Sequence, residues 1–395
     1  MKEKILELAR QFYPRVVELR REIHADPELS LEENKTSALV AKTLESLGVK
    51  VGTGIAKTGV IGLLEGSHEG KCAGIRADMD ALPILELTGL PFASKNPGVM
   101  HACGHDAHTA MALGAAMILS ELKSELHGSV KFLFQPSEEK APGGALTMIE
   151  EGALKKPDVA VMFGLHVEAH TPAGMVGFRP GALFASADEI YITITGRGGH
   201  GAMPHLGIDS IVVASHVVIA LQTIVSRRID PFEQCVVTIG KFTGGTATNI
   251  IPREVSLAGT MRTMNQALRE KVYKNIDDIV RGVTRAMDAE YELRIVKGYP
   301  ALINDEDVSA FAATAAKDLL GKDSIYTAQT FMGAEDYAYF LQNVPGTFFR
   351  LGVCEPKQKT VAGIHDARFM LDERAMLNGT ATLAYLAASY LNRHS

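Results

Sequence analysis

The chain has 395 residues, 46% hydrophobic and 22% charged, with a net charge of −6 at neutral pH. That length exceeds one compact core and predicts two domains, or one large domain with an insertion, and the composition excludes a mainly disordered chain. The acidic balance argues against nucleic acid or an anionic membrane surface as main partner, but leaves room for a small anionic substrate held by local arginines.

Residues 1–25 and 32–48 read as amphipathic helices. The opening stretch "MKEKILELARQFYPRVVELRREIHADPELS" is charged throughout, and no later segment has 18 consecutive apolar residues, so a cytoplasmic location is expected. Cys72, Cys103, Cys235 and Cys354 lie far apart without a C-x-x-C pair, which fits a reducing compartment rather than a disulfide framework. Three of them, Cys72, Cys235 and Cys354, sit in apolar strand-like runs and read as plain buried residues.

"VIGLLEG" and "CAGIRADMD" read as strands, and a helix is expected from about Ala107 to Leu122, N-capped by Asp106. The strand "SVKFLFQP", a helix near 143–152 and the strand "VAVMFGLHV" follow. This alternation predicts an α/β sheet with helices on both faces. From about residue 185 the pattern changes to the strand "DEIYITITG", a helix from Asp209 to Val225, the strands "QCVVTIGKFTGG" and "VSLAGTMRT", a helix over Ala267–Ala289 and the strand "YELRIV". That β-α-β-β-α-β order is ferredoxin-like. After Pro300 come a helix, the strand "GTFFRLGV" and a final helix near 373–391. The expected organisation is a catalytic α/β domain over residues 1–184 and 298–395, interrupted by an inserted lid domain over 185–297. "GRGGHG" mimics a dinucleotide fingerprint, but the next strand ends without the acidic residue that such a site needs.

Chemistry gathers in four places. "GVMHACGHDAHTAMALGAA" packs His101, Cys103, His105, Asp106 and His108 together. In extended chain, residues two apart face one way, so Cys103 and His105 can address one point with thiolate and imidazole, the first half of a zinc-type site. His101 and His108 read as structural or supporting residues. "FLFQPSEEK" places Glu138 and Glu139 at a strand end, where one carboxylate can bind metal and the other act as a general base. His166 ends the strand in "MFGLHVEAH", where open α/β sheets place their ligands, and His170 reads as surface. His365 stands in "GIHDARF", in a loop before the last helix. Cys103, His105, Glu139, His166 and His365 exceed what one catalytic zinc takes from protein, and suit two metals about 3.5–4 Å apart. A different reading makes Cys103 a nucleophile with His105 as its base. Another is a catalytically silent metal-binding protein.

The ordered motifs "RADMDALP", "MHACGHDAHTAMALGAA", "FQPSEE", "GLHV", "GRGGHGAMPH", "TNIIP", "GTMRT", "GAEDYAYF" and "GIHDARF" span essentially the whole chain. In them the sequence resembles the dinuclear-metal amidohydrolases grouped with aminoacylase, carboxypeptidase and acetylornithine deacetylase. It is most similar to the branch acting on N-acyl-amino acids, hippurate and auxin conjugates. The resemblance implies a two-domain fold with a ferredoxin-like lid, a binuclear site built from the five ligands named, and Glu138 as catalytic base. It also implies His200, Asn249 and Arg262 as substrate-binding residues, with His200 reaching a partner subunit's site in a dimer. Two departures stand out. Asp78 and Asp80 replace the wider family's H-x-D motif, leaving Asp80 in a supporting role. Cys103 replaces a bridging carboxylate, which leaves the metal open among zinc, manganese, nickel and cobalt. The expected activity is hydrolysis of an N-acyl-amino acid amide, such as an N-acetyl or N-benzoyl derivative. Dipeptidase or carboxypeptidase action of the same family is the alternative.

Overall fold

The computed structural model describes residues 1–355 and 362–394. The chain separates into two compact units, one formed by Met1–Gly181, Ile303–Gln329 and Asp336–Ser395, the other by Ala182–Leu302 and Thr330–Glu335.

The first unit is built on an eight-stranded mixed sheet. At its centre, His68–Asp78 pairs in parallel with both His127–Gln135 and Val159–Pro172, and Gly346–Cys354 pairs in parallel with the other side of Val159–Pro172. His127–Gln135 and Gly346–Cys354 are buried along nearly their whole length, and His68–Asp78 from Cys72 onward, as near-continuous apolar runs require. Antiparallel Gly59–Glu65 and Lys50–Ile55 extend one side, and Val176–Phe178 and Ile325–Thr327 the other. The short strands at 50–55, 176–178 and 325–327 carry too few residues to show a period in sequence.

Helix His105–Glu121 forms the heart of this unit and is buried from His105 through Leu119. A helix apolar all round belongs inside a core. Its alanines and Gly114 let Lys2–Ala25 and Ala375–Arg393 press against it: a Cβ at Gly114 would meet Val16 at 2.6 Å and Thr380 at 2.8 Å. The expected cap is corrected here. The helix begins at His105, its N-cap is Gly104 in the left-handed region (φ 86°), and Asp106 lies in the first turn. Asp106 is instead held by the Arg20 and His24 side chains, at 2.8 Å each. The cysteines are free; Cys72 is buried as expected, but Cys235 and Cys354 are only half-buried.

The second unit carries a four-stranded antiparallel sheet in the order Cys235–Gly244, Glu254–Thr263, Asp188–Thr195, Glu290–Lys297. Along Asp188–Thr195 every second residue is buried, so Ile190, Ile192 and Ile194 share a core with Val213, Val217, Leu221, Val272 and Ile276 of two helices. Those helices are Ser210–Thr223, capped by the Asp209 carboxylate, and Gln266–Ala286, capped by the Asn265 side chain. The first runs on as a π-helical turn to Arg228. By length and composition Ser210–Arg228 could cross a membrane, yet Val213, Ala214, Val217, Leu221 and Ile224 pack into the unit's own core.

Candidate metal centre

Three segments of the first unit bring ligand atoms together at the carboxyl ends of its strands, and a fourth supplies His365. Cys103, His105 and His166 present such atoms within 4.8 Å of one another, as do Cys103, Glu139 and His365, and again His105, Glu138 and Glu139. The groups overlap through Cys103, His105 and Glu139, the pattern two neighbouring ions with common ligands require.

Local backbone explains the convergence, and it differs from the extended chain expected. Cys103 and His105 flank Gly104, whose left-handed turn swings both side chains to one side as the helix starts. A side chain at Gly104 would stand 2.6 Å from Val167 Cγ2, on the strand bearing His166. Glu138 and Glu139 follow Gln135, the last residue of its strand, through Pro136 and a left-handed Ser137 (φ 55°). His365 has φ 65°, and its backbone N–H donates to the Ala102 carbonyl at 2.8 Å.

The imidazoles are oriented through their other nitrogen. His105 Nδ1 donates to the Asp80 carbonyl oxygen at 2.9 Å and His166 Nδ1 to the Val167 carbonyl at 2.7 Å. Each therefore presents Nε2 to the site. His166 Nε2 lies 3.4 Å from Cys103 Sγ. His365 Nε2 lies 3.2 Å from Glu139 Oε1. Among the described residues, His105 Nε2 and Glu139 Oε1 are buried without a hydrogen-bond partner. Such orphans cost on the order of 1–3 kcal/mol each, and a cation seated between these lone pairs satisfies both. The residues therefore fit a metal site.

The charge balance points the same way. Burial pushes the Cys103 thiol well up, and Glu139, Glu138 and Asp78 push it further. Burial opposes protonation of His105, yet Asp78, Asp80 and Glu139 outweigh it and lift the imidazole to about 10. Negative charge is thus in excess around these residues. The same surroundings weigh against the cysteine-nucleophile reading, because an activated thiolate needs an electropositive environment.

Around this set lies a second layer. The Asp80 carboxylate accepts the backbone N–H groups of Glu138 and Glu139, at 3.0 Å each, and the Ser30 hydroxyl at 2.6 Å. Asp78 binds His108 Nδ1 at 2.6 Å and Arg76 at 2.8 Å, while His108 Nε2 accepts the Val167 N–H at 3.0 Å. Both ring nitrogens of His108 are thereby used, linking Asp78 to the strand that bears His166. Arg76, buried in the sheet, also donates to Gln135 and Asp336. His101 is buried and, among the described residues, neither of its ring nitrogens has a hydrogen-bond partner, while His170 is exposed. Arg76 and Asp336 lie within "RADMDALP" and "GAEDYAYF", but nothing local in either run shows that the two side chains meet across 260 residues of sequence.

The second unit holds the other three candidates. Gly199–His200 pairs with Ile250–Ile251, His200 opposite Ile250, which sets Asn249 beside Gly201, whose N–H donates to the Asn249 carbonyl at 2.8 Å. His200 and Asn249 are exposed, and His200 Nδ1 accepts the Ala202 N–H. Arg262 is half-buried near the end of Glu254–Thr263, opposite Val236. Burial lowers its pKa, against the pull of Asp188.

Residues 74–389 match the model of peptidase family M20/M25/M40. The chain is 45% identical over 306 residues to an N-acyl-L-amino acid amidohydrolase of Geobacillus stearothermophilus, covering 78% of this chain and 82% of that one. It is 37% identical to thermostable carboxypeptidase 1 of Saccharolobus solfataricus, over 99% of both. Among solved structures, it is similar to a dinuclear metal-binding peptidase of the M20 family from Bacillus subtilis, with a TM-score of 0.86, 34% identity and coverage of 97% of this chain and 99% of that one.

Proposed function

The chain belongs to peptidase family M20/M25/M40, and from that membership and the geometry of its site we propose that it hydrolyses the amide bond of N-acyl-amino acids. The products are a carboxylic acid and a free amino acid. The observation that carries the reading is the set of converging ligand atoms: His105 Nε2 and Glu139 Oε1, both buried without a hydrogen bond among the described residues, beside Cys103, His166 and His365, with Glu138 adjoining.

Cys103, His105, Glu139, His166 and His365 are the ligands in this reading. Two divalent ions (Zn, Mn, Ni or Co), when bound, supply Lewis-acid polarisation of the scissile carbonyl and a lowered pKa for the attacking water. Glu138 takes the proton of that water and returns one to the leaving amine. Asp80 supports both glutamates through their backbone N–H groups, so the base and its neighbouring ligand keep a common register. Arg262 grips the substrate's α-carboxylate with paired charge-assisted hydrogen bonds. Asn249 adds a polar contact, and His200 donates to the oxyanion as charge develops.

The βαββαβ order and antiparallel sheet of the second unit support its reading as a ferredoxin-like lid over about residues 185–297, inserted in a catalytic domain of residues 1–184 and 298–395. Residues 356–361 and 395 of that domain lie outside the described residues. Ile211, Val212 and Ile219 stand 36%, 43% and 67% exposed on one helix of the lid, which supports pairing of two lids in a homodimer with His200 completing the partner's site. Four free cysteines suit a reducing cytoplasm.

The test is a screen of N-acetyl-, N-benzoyl- and indoleacetyl-amino acids against dipeptides, after exhaustive chelation and after return of Mn²⁺, Co²⁺ or Zn²⁺. Metal-restored cleavage of the N-acyl-amino acids is expected. Full activity in the metal-free protein, or cleavage confined to dipeptides, overturns the reading.

A further inference from the structure

Ser137 sits directly before the two glutamates in a left-handed conformation, which residues with a side chain seldom adopt. Such a conformation persists only where its surroundings hold it. Here the holder is a buried carboxylate from far away in sequence. Glu33, 0% exposed, accepts the Ser137 N–H on Oε1 at 2.9 Å. The same oxygen accepts the Leu31 N–H at 2.9 Å, and Oε2 accepts the Thr58 hydroxyl at 2.5 Å. Leu31 is itself left-handed, and Thr58 follows the left-handed pair Ala56 and Lys57. One side chain thus ties together three tight turns. On the far side of Ser137, its carbonyl accepts the Gly144 N–H at 3.0 Å.

The consequence for the site follows from chain connectivity. The peptide from Ser137 to Glu138 carries the N–H that meets Asp80 Oδ1, and the next peptide carries the N–H that meets Oδ2. If Ser137 relaxed to an ordinary backbone conformation, that first peptide would rotate and both contacts would break. Ser30, from the same N-terminal loop as Glu33, holds Asp80 itself. The segment Ser30–Glu33 therefore grips both partners of the contact that aims the glutamate pair.

We propose that Glu33 is a positioning residue for hydrolysis: by accepting the Ser137 N–H it maintains the left-handed turn that aims Glu138 and Glu139. This rests on the reading that those two glutamates serve as base and ligand. Its role is one of reach rather than charge, because its hydrogen bonds go to Leu31, Thr58 and Ser137 and to none of the five ligands of that reading.

Reach and charge separate in two variants of the full chain. Glu33→Asp keeps the charge and draws the carboxylate back from Ser137. Glu33→Gln loses the charge, but its amide oxygen can accept both N–H groups while its NH₂ donates to Thr58. In the metal-loaded enzyme, Glu33→Asp is expected to lower kcat at least about tenfold with KM within about twofold, and Glu33→Gln to stay within about threefold of wild type. Cobalt titration, followed by its visible absorption, is expected to show weaker binding in Glu33→Asp and wild-type binding in Glu33→Gln. Adding Ser137→Gly to Glu33→Asp restores kcat in part, since glycine enters the left-handed region freely. Thr58→Val, which removes only the hydroxyl on Oε2, repeats the pattern at smaller amplitude and serves if Glu33→Asp does not fold. Equal behaviour of the Asp and Gln variants, or a loss of thermal stability alone with kcat and cobalt affinity unchanged, overturns the proposal. Should wild type cleave none of the acyl-amino acids, the function reading fails, while the cobalt series still decides the role of Glu33.

Discussion

The two sets of candidate residues are held in opposite ways. On the large sheet, two of the three imidazoles are fixed through Nδ1, His365 through its backbone, and both glutamates through backbone N–H groups on one aspartate. In the second unit, His200 and Asn249 stand exposed on a two-residue ribbon, and Arg262 is half-buried with Asp188 as its charged neighbour. Lone pairs that must meet a cation within tenths of an ångström need a fixed second layer. Groups that read a flexible substrate do not, and a mobile contact can serve them.

The largest effect that would break this contrast is on chemistry. Glu138→Gln is expected to keep bound metal and lose several orders of magnitude in kcat, because it removes proton transfer and leaves the five ligands. Glu139→Gln is expected to lose metal as well. Metal analysis beside kinetics checks both, and equal occupancy with equal activity in the two would erase the division of labour.

Next comes the second layer. Arg76→Met leaves Asp78 and Asp336 buried without their guanidinium, so about 3–5 kcal/mol of stability should go, read by denaturant unfolding. A loss below about 1 kcal/mol would mean that this layer is slack. A smaller effect is expected from the second unit. Arg262→Ala should cost at least about tenfold in kcat/KM on free acids, roughly 1.4 kcal/mol, and almost nothing on the corresponding amides. Thermal stability should hardly change. If wild type cleaves N-acyl-amino acid amides as well as the acids, Arg262 does not read the carboxylate.

The smallest effect is a pH signature at the first turn of the core helix. His24 lies between Asp106 and Glu86. Although burial works against it, the His24 hydrogen bond, with Thr88 and Ser94, draws Glu86 down from 4.5 to about 2. Burial likewise opposes a charged His24, but Asp106 and Glu86 raise its pKa above 6.5. The stabilisation from Glu86 is complete above about pH 4.5 and fades as pH falls towards 2. That from His24 is complete below about pH 6.5 and fades as pH rises through its raised value. The melting temperature of wild type minus that of Glu86→Gln should therefore peak between about pH 4.5 and 6.5. A flat difference from pH 3 to 9 would show that the pair is uncoupled.

Much of the frame was legible because it is periodic. The long buried strands announce themselves as apolar runs, the strand Asp188–Thr195 of the second unit by strict alternation, and that unit's two helices start within one residue of the Asp209 and Ala267 expected. That Cys103, His105, Glu138, Glu139, His166 and His365 lie together could be anticipated from two strand ends, the stretch leading into a helix and one loop. What escaped was set by long-range contact. Asp106 looks like a cap by local rules, but Arg20 and His24, more than eighty residues earlier, claim its carboxylate. Ser137 resembles any turn serine, and Glu33 resembles half of a solvated "EE" pair until Ser137, 104 residues on, is found against it. Gly104 carries a sign in sequence, though only the nearness of Val167 shows why no other residue serves there.

The position of Gly346–Cys354 within the large sheet bears on how the chain is made. This strand lies between Val159–Pro172 and Val176–Phe178 and joins the two parts of the sheet, yet it is made long after both. Until it emerges, Val159–Pro172 shows a long apolar edge with unpaired backbone groups, a template for pairing with other chains. The strand precedes both His365 and the helix Ala375–Arg393 that closes over the core. A chain halted before residue 346 thus has neither a finished sheet nor a complete ligand set, and is a natural client for chaperones. Refolding should be slow for the same reason, because the contacts that complete the sheet span nearly two hundred residues of sequence.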